Sequence, residues 1–92
     1  MNKMQNKPRK QEERVAKIIG GRRNLCSGAL REKGDVQSKD VLVSCKRTDK
    51  GQIIIKLKDI EEIYGQAMRN GREPILQIEI GGFEVWGQVI KK

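Results

Sequence analysis

A chain of 92 residues holds one domain, because domains run from about 50 to 250 residues and a chain this short has no room for a second core. Hydrophobic residues make up 36% and charged residues 35%, a polar balance that is still richer in Ile, Leu and Val than disordered chains are, so the chain should fold with little stability to spare. Twenty Lys and Arg against twelve Asp and Glu give a net charge of +8, which favours polyanionic partners, nucleic acid before membrane surface, through attraction and counterion release.

Residues 1–10 carry Lys3, Lys7, Arg9 and Lys10 without an acid. They bury too little to offset chain entropy and read as a flexible basic arm ahead of a single domain over residues 11–92. They also lack the apolar stretch of a signal peptide, and no later run reaches the roughly 18 apolar residues of a spanning helix, so the expected location is cytoplasmic, away from the membrane. Over residues 11–19, Val15, Ala16, Ile18 and Ile19 follow helical spacing until Gly20-Gly21 stops it. Residues 22–34 show no sustained period and carry Arg22, Arg23, Arg31 and Lys33 among Ser27, Gly28 and Gly34, a basic loop that is either a solvated connection or a surface meeting phosphate.

Residues 41–46 alternate as a strand does, residues 48–51 form a turn, and Ile53, Ile55 and Leu57 place a second strand over 52–57, which predicts a hairpin. Asp59 and Glu62 have the spacing of a capping box, and Ile60, Ile63, Tyr64, Ala67 and Met68 then share one helical face up to Asn70-Gly71. A third strand runs from Pro74 to Ile80, Gly81-Gly82 turns the chain, and a fourth covers residues 83–90. The order α, β, β, α, β, β, with a short extra strand near Asp35 and Val36, predicts an α/β fold in which two helices flank a mixed sheet.

The chain contains no His, so the Ser-His-Asp triad and the usual zinc spacings are absent. Cys26 and Cys45 stand far apart in sequence and read as reduced, partly buried thiols, with a disulfide left open. Strand parity puts Ser44 and Lys46 on one face, shortly after a Gly34-Asp35-Val36 segment able to bring a carboxylate alongside them.

At these residues the chain resembles the PD-(D/E)xK nucleases, in particular small phage and archaeal Holliday junction resolvases. The resemblance is carried by Gln11-Glu12, Ser27-Gly28-Ala29, Gly34-Asp35-Val36, Leu42-Val43-Ser44-Cys45-Lys46-Arg47-Thr48, Gln66-Ala67 and Gly71-Arg72-Glu73-Pro74, in the family's order. It implies a restriction-endonuclease-like core and metal-dependent hydrolysis of DNA phosphodiesters, with four-way or other branched DNA as substrate. It further implies Mg²⁺ or Mn²⁺ held by Asp35, Glu12 and the Cys45 carbonyl, with Lys46 orienting the attacking water. Hard cations prefer such oxygen donors, and metal plus ammonium stabilise charge on a scissile phosphate. Arg22, Arg23, Ser27, Arg31, Lys33 and Arg47 would then contact DNA, and a two-fold homodimer would suit a junction cut on two strands.

Ser44 departs from the pattern, standing where the family has an acidic ligand. A hydroxyl carries no charge, so metal affinity and turnover should both fall. An engineered replacement, a natural loss that leaves a DNA-binding module, and a site completed differently all remain open. So does an unrelated small basic protein that binds RNA or DNA. Taken singly, Asp35 is also an ordinary turn residue, Glu12 a common first-turn acid and Lys46 a solvated strand end.

Overall fold

Alternating side chains over residues 41–48 produce a central strand, and the rest of the molecule is arranged about it. The computed structural model describes residues 3–23 and 35–92, with side chains from Arg9 onward. Its elements are helix α1 (Lys3–Ile19), strands β1 (Arg22–Arg23), β2 (Val36–Gln37) and β3 (Val41–Thr48), helix α2 (Leu57–Asn70), and strands β4 (Glu73–Ile80) and β5 (Phe83–Gln88). They make one five-stranded sheet in the order β1-β2-β3-β4-β5. Strands β3 and β4 run parallel and the other neighbours antiparallel. The fold is α/β, a mixed sheet flanked by two helices.

The two faces of β3 are covered by different helices because its side chains alternate. On one face, Val15 and Ala16 of α1 pack on Val36 and Val43, with Ile19, Val41, Cys45 and Ile75 around them. On the other, Leu42 meets Ile63 and Ala67 of α2, with Val89 beside them. Parallel strands cannot be joined by a tight turn, so α2 serves as the crossover that returns the chain to the start of β4. The helix ends at Gly71, whose φ of 68° is in the left-handed region that a Cβ disfavours. Gly81 and Gly82, at φ 54° and 83°, close the β4–β5 hairpin as the sequence predicted. Among the described residues no helix is long and apolar enough to cross a membrane.

Four local expectations are corrected. The hairpin of residues 41–46 with 52–57 does not form. β4 pairs along the whole of one edge of β3 and β2 pairs with Leu42 and Val43 on the other, while Ile54 and Leu57 are exposed despite their alternation. The first helix begins at Lys3, so residues 3–10, expected as an arm, extend its N-terminal turns. Arg22 and Arg23, expected in a loop, form β1 against Val36 and Gln37. Finally, α2 starts at Leu57 with Lys56 as N-cap and no side-chain cap, which leaves Asp59 inside the first turn rather than capping it.

Candidate functional site

Of the residues singled out in the sequence, Asp35 meets the Ser44–Cys45 peptide of β3. Asp35 stands just before β2, and the register that pairs Val36 with Val43 carries it to this point. Its carboxylate accepts the Cys45 N–H at 2.7 Å, while its own N–H donates to the Val43 carbonyl at 2.8 Å. The side chain thus takes the place of the next strand residue at the frayed end of β2. Ser44, whose carbonyl belongs to this peptide, is buried.

Strand alternation sends Lys46 towards α2, since Val43 and Cys45 pack on the α1 side and Leu42 on the α2 side. There its Nζ lies 3.2 Å from the Asp59 carboxylate, both groups partly buried. The Lys46 carbonyl is held from α1, where the buried Gln11 side-chain amide donates to it at 3.0 Å and also to the side-chain Oε1 of Gln77 at 2.6 Å. Glu12, the next residue on α1, is within 3.0 Å of the Arg23 guanidinium.

The electrostatics of the group are set by burial and by excess negative charge. Burial pushes the Asp35 carboxyl above its ordinary range, and the charge of Glu12 adds to this, against the opposing effects of the Cys45 N–H and Lys46. Burial also raises the Cys45 thiol, helped by the charges of Asp35, Glu12 and Glu79. Cys45 is therefore a protonated core thiol and no nucleophile.

Such surroundings suit a cation. A positive ion near Asp35 and Glu12 would relieve both the desolvation and the like-charge repulsion that raise Asp35. Mg²⁺ needs only one or two protein carboxylates when waters and substrate phosphates complete its shell, and the carboxylates at hand are those of Asp35 and Glu12, the latter paired with Arg23. Among the described residues no group of three or more His, Cys, Asp and Glu is disposed to hold a metal ion.

Of the cations expected at DNA, Arg23 pairs with Glu12 and Arg47 with Asp49 and Glu79, whereas Arg22 is exposed and makes no ion pair among the described residues. Ser27, Arg31 and Lys33 lie outside the described residues. Sequence reasoning missed Asp59 as the partner of Lys46, having given it a capping role. It also missed Gln11, whose helical position next to Glu12 was the available signal, and Gln77, fully buried on β4. Compared with known proteins, the chain matches no family model and no curated protein.

Proposed function

We propose that the chain acts on DNA phosphodiesters as a metal-dependent endonuclease of the PD-(D/E)xK type, with branched DNA as substrate and with Ser44 weakening its metal site. The observation that carries this reading is the Asp35 carboxylate on the Ser44–Cys45 peptide, one residue before Lys46. This is an acid opposite the middle of an x-x-K strand, with a second acid, Glu12, in its field.

In this reading Asp35, Glu12 and the Cys45 carbonyl would hold Mg²⁺ or Mn²⁺, which supplies charge neutralisation at the scissile phosphate. Lys46 donates its ammonium hydrogens to the attacking water or to a phosphate oxygen, and Asp59 fixes where that ammonium sits. Gln11 holds the Lys46 backbone, so the side chain starts from an anchored point. A four-way junction needs two symmetric cuts, which a two-fold dimer supplies. The edge strand β5, with Phe83 and Val85 exposed, is the surface we assign to it.

A second reading, DNA binding without cleavage, is favoured by Ser44 itself. The two are separated by measuring junction cleavage in Mg²⁺ and in Mn²⁺ for the chain and for Ser44→Glu. The nuclease reading expects Ser44→Glu to cleave faster and bind metal more tightly, with metal-free DNA affinity little changed. Equal, negligible cleavage by both on several DNA structures, with DNA still bound, leaves the binding module.

A further inference from the structure

Five cations on the described surface are answered by acids. Arg9 pairs with Glu13, Arg14 with Glu79 and Glu84, Arg23 with Glu12, Lys46 with Asp59, and Arg47 with Asp49 and Glu79. Arg22, Lys39 and Arg72 form no ion pair among the described residues, and they converge. They line one cleft of about 340 Å³ together with Gly20, Gly21 and Ser38. Neither Asp40 nor Glu73, the acids next in sequence to Lys39 and Arg72, lines it.

The cleft is assembled by local geometry. Arg72 follows the left-handed Gly71 that ends α2, and its Nε–H donates to the Ser38 carbonyl at 2.7 Å. That bond fixes the guanidinium plane and leaves its remaining N–H groups free for a planar, two-point contact with an oxyanion. Arg22 is brought in because Gly21 lets β1 lie against β2. A Cβ at position 21 would stand 2.0 Å from the Gln37 carbonyl oxygen, so any side chain there displaces the strand.

Helix dipoles offer a structural reason for cations here, since α1 and α2 both end beside the cleft. Each helix end is equivalent to roughly half a negative charge, and the terminal carbonyls of Ala16, Lys17, Ala67 and Met68 already accept backbone N–H groups. Three full positive charges against about two halves leave a net charge near +2, more than the helix ends require.

We infer that this cleft is a phosphodiester-binding subsite for the DNA backbone, remote from Lys46, which seats a flanking stretch of duplex. The inference rests on the DNA reading of the proposed function. Residue 41, whose carbonyl accepts the N–H of the cleft residue Ser38, and residue 46 are separated by five strand steps, about 17 Å at 3.3 Å each. One duplex strand carries a phosphate about every 3.4 Å of axis, so a single helical arm spans both ends of β3.

The experiment uses the full chain without divalent metal. Duplex and four-way junction binding are followed over a salt series for the chain, for Arg22→Ala/Lys39→Ala, and for Arg72→Lys, which keeps the charge but loses the planar fork. The expected result is a log-affinity against log-salt slope that falls by roughly two units in the double variant, about 0.9 per lost contact. Arg72→Lys is expected to lower affinity several-fold with the slope kept. In parallel, the Gly20, Gly21 and Lys39 amides are followed by NMR with inorganic phosphate, and their shifts should saturate in the chain and vanish in the double variant. DNA bound with an unchanged slope in the double variant overturns the subsite. If the chain binds no DNA, the DNA reading fails, and the phosphate titration alone decides the cleft: saturating shifts support an anion site and absent shifts overturn it.

Discussion

The two ends of β3 are built on opposite principles. At the Lys46 end, side chains answer one another. Lys46 meets Asp59, Gln11 bridges the Lys46 carbonyl and Gln77, and Arg14 holds Glu79 and Glu84. Burial would raise Glu84, but hydrogen bonds from Gln77, Arg14 and Trp86 hold its carboxyl below the ordinary range. At the Ser38 end the side chains bond to backbone, Arg72 to the Ser38 carbonyl and the Ser38 hydroxyl to the N–H groups of Asp40 and Val41, and the cations of Arg22, Lys39 and Arg72 line a shared cleft. A net charge of +8 therefore says little about where a polyanion would be attracted. Arg14, Lys46 and Arg47, at the end that carries the candidate chemistry, are each paired with an acid, whereas the three cations of the cleft form no ion pair among the described residues.

The sharpest way to break this contrast is at Gly21. Gly21→Ala puts a methyl group 2.0 Å from the Gln37 carbonyl oxygen, which neither backbone can avoid without separating β1 from β2. The expected loss is on the order of 3 kcal/mol, the upper range for overpacking. It should be accompanied by loss of hydrogen-exchange protection at the β1–β2 amides, read by urea unfolding and NMR, while the Lys46 end keeps its protection.

Gln77→Ala attacks the other end. Gln77 is fully buried and bonded to Gln11, Glu79 and Glu84, so the substitution leaves Gln11 short of a partner and opens a void. About 2 kcal/mol of destabilisation is expected, within the usual cost of unsatisfied buried groups. A loss under about 0.5 kcal/mol, the level of an ordinary surface change, would mean that the network is not what holds α1 on the sheet.

Asp35 gives a pH-dependent effect whose sign is fixed. Its folded pKa is raised, by burial first and by Glu12 second, so its contribution to stability is complete below the ordinary carboxylate pKa and is lost as pH rises through the folded value. At neutral pH the charged Asp35 is a cost. Asp35→Asn keeps an oxygen able to accept the Cys45 N–H and removes the charge. The variant should melt higher than the chain at pH 7 without metal, and the gap should close as the solution is acidified through the range in which Asp35 takes up its proton. A gap that widens towards low pH contradicts the assigned direction. Added Mg²⁺ should narrow it by stabilising the chain and leaving the variant unmoved.

Much of this arrangement was legible in the sequence, and the exceptions have physical causes. The 3.6-residue spacing of Ile60, Ile63, Tyr64 and Ala67 gave α2, Asn70-Gly71 gave its end, and Gly81-Gly82 gave the last turn, because each is a local constraint on the backbone. The alternation of Ile53, Ile55 and Leu57 misled, because period alone does not say whether a strand edge is free to pair. The basic pair Arg22-Arg23 hid a strand, because two residues carry no period and only Gly21 marked the close approach. At the site, Asp35 and Lys46 were readable as a pair of types at a spacing. The Lys46–Asp59 contact joins a strand to a helix start thirteen positions on and follows from the parallel crossover, a tertiary fact.

That contact supplies the smallest effect and the finest test of the comparison. Lys46 and Asp59 are partly exposed, and a pair so placed contributes about 0–1 kcal/mol, so Asp59→Asn should scarcely change the melting temperature. Its consequence falls on Lys46, whose ammonium loses the acceptor that holds it. Under limiting amine acetylation followed by peptide mass analysis, Lys46 should be modified faster in Asp59→Asn than in the chain, while Lys39, with no such partner among the described residues, should react equally in both. In the Ser44→Glu background the same change should lower kcat for junction cleavage and leave KM near its value, and Asp59→Glu should recover part of the loss. An ammonium fixed by Asp59 serves the chemical step, whereas one that only attracts DNA would show its loss in KM, as the Arg72 end of the strand is expected to do.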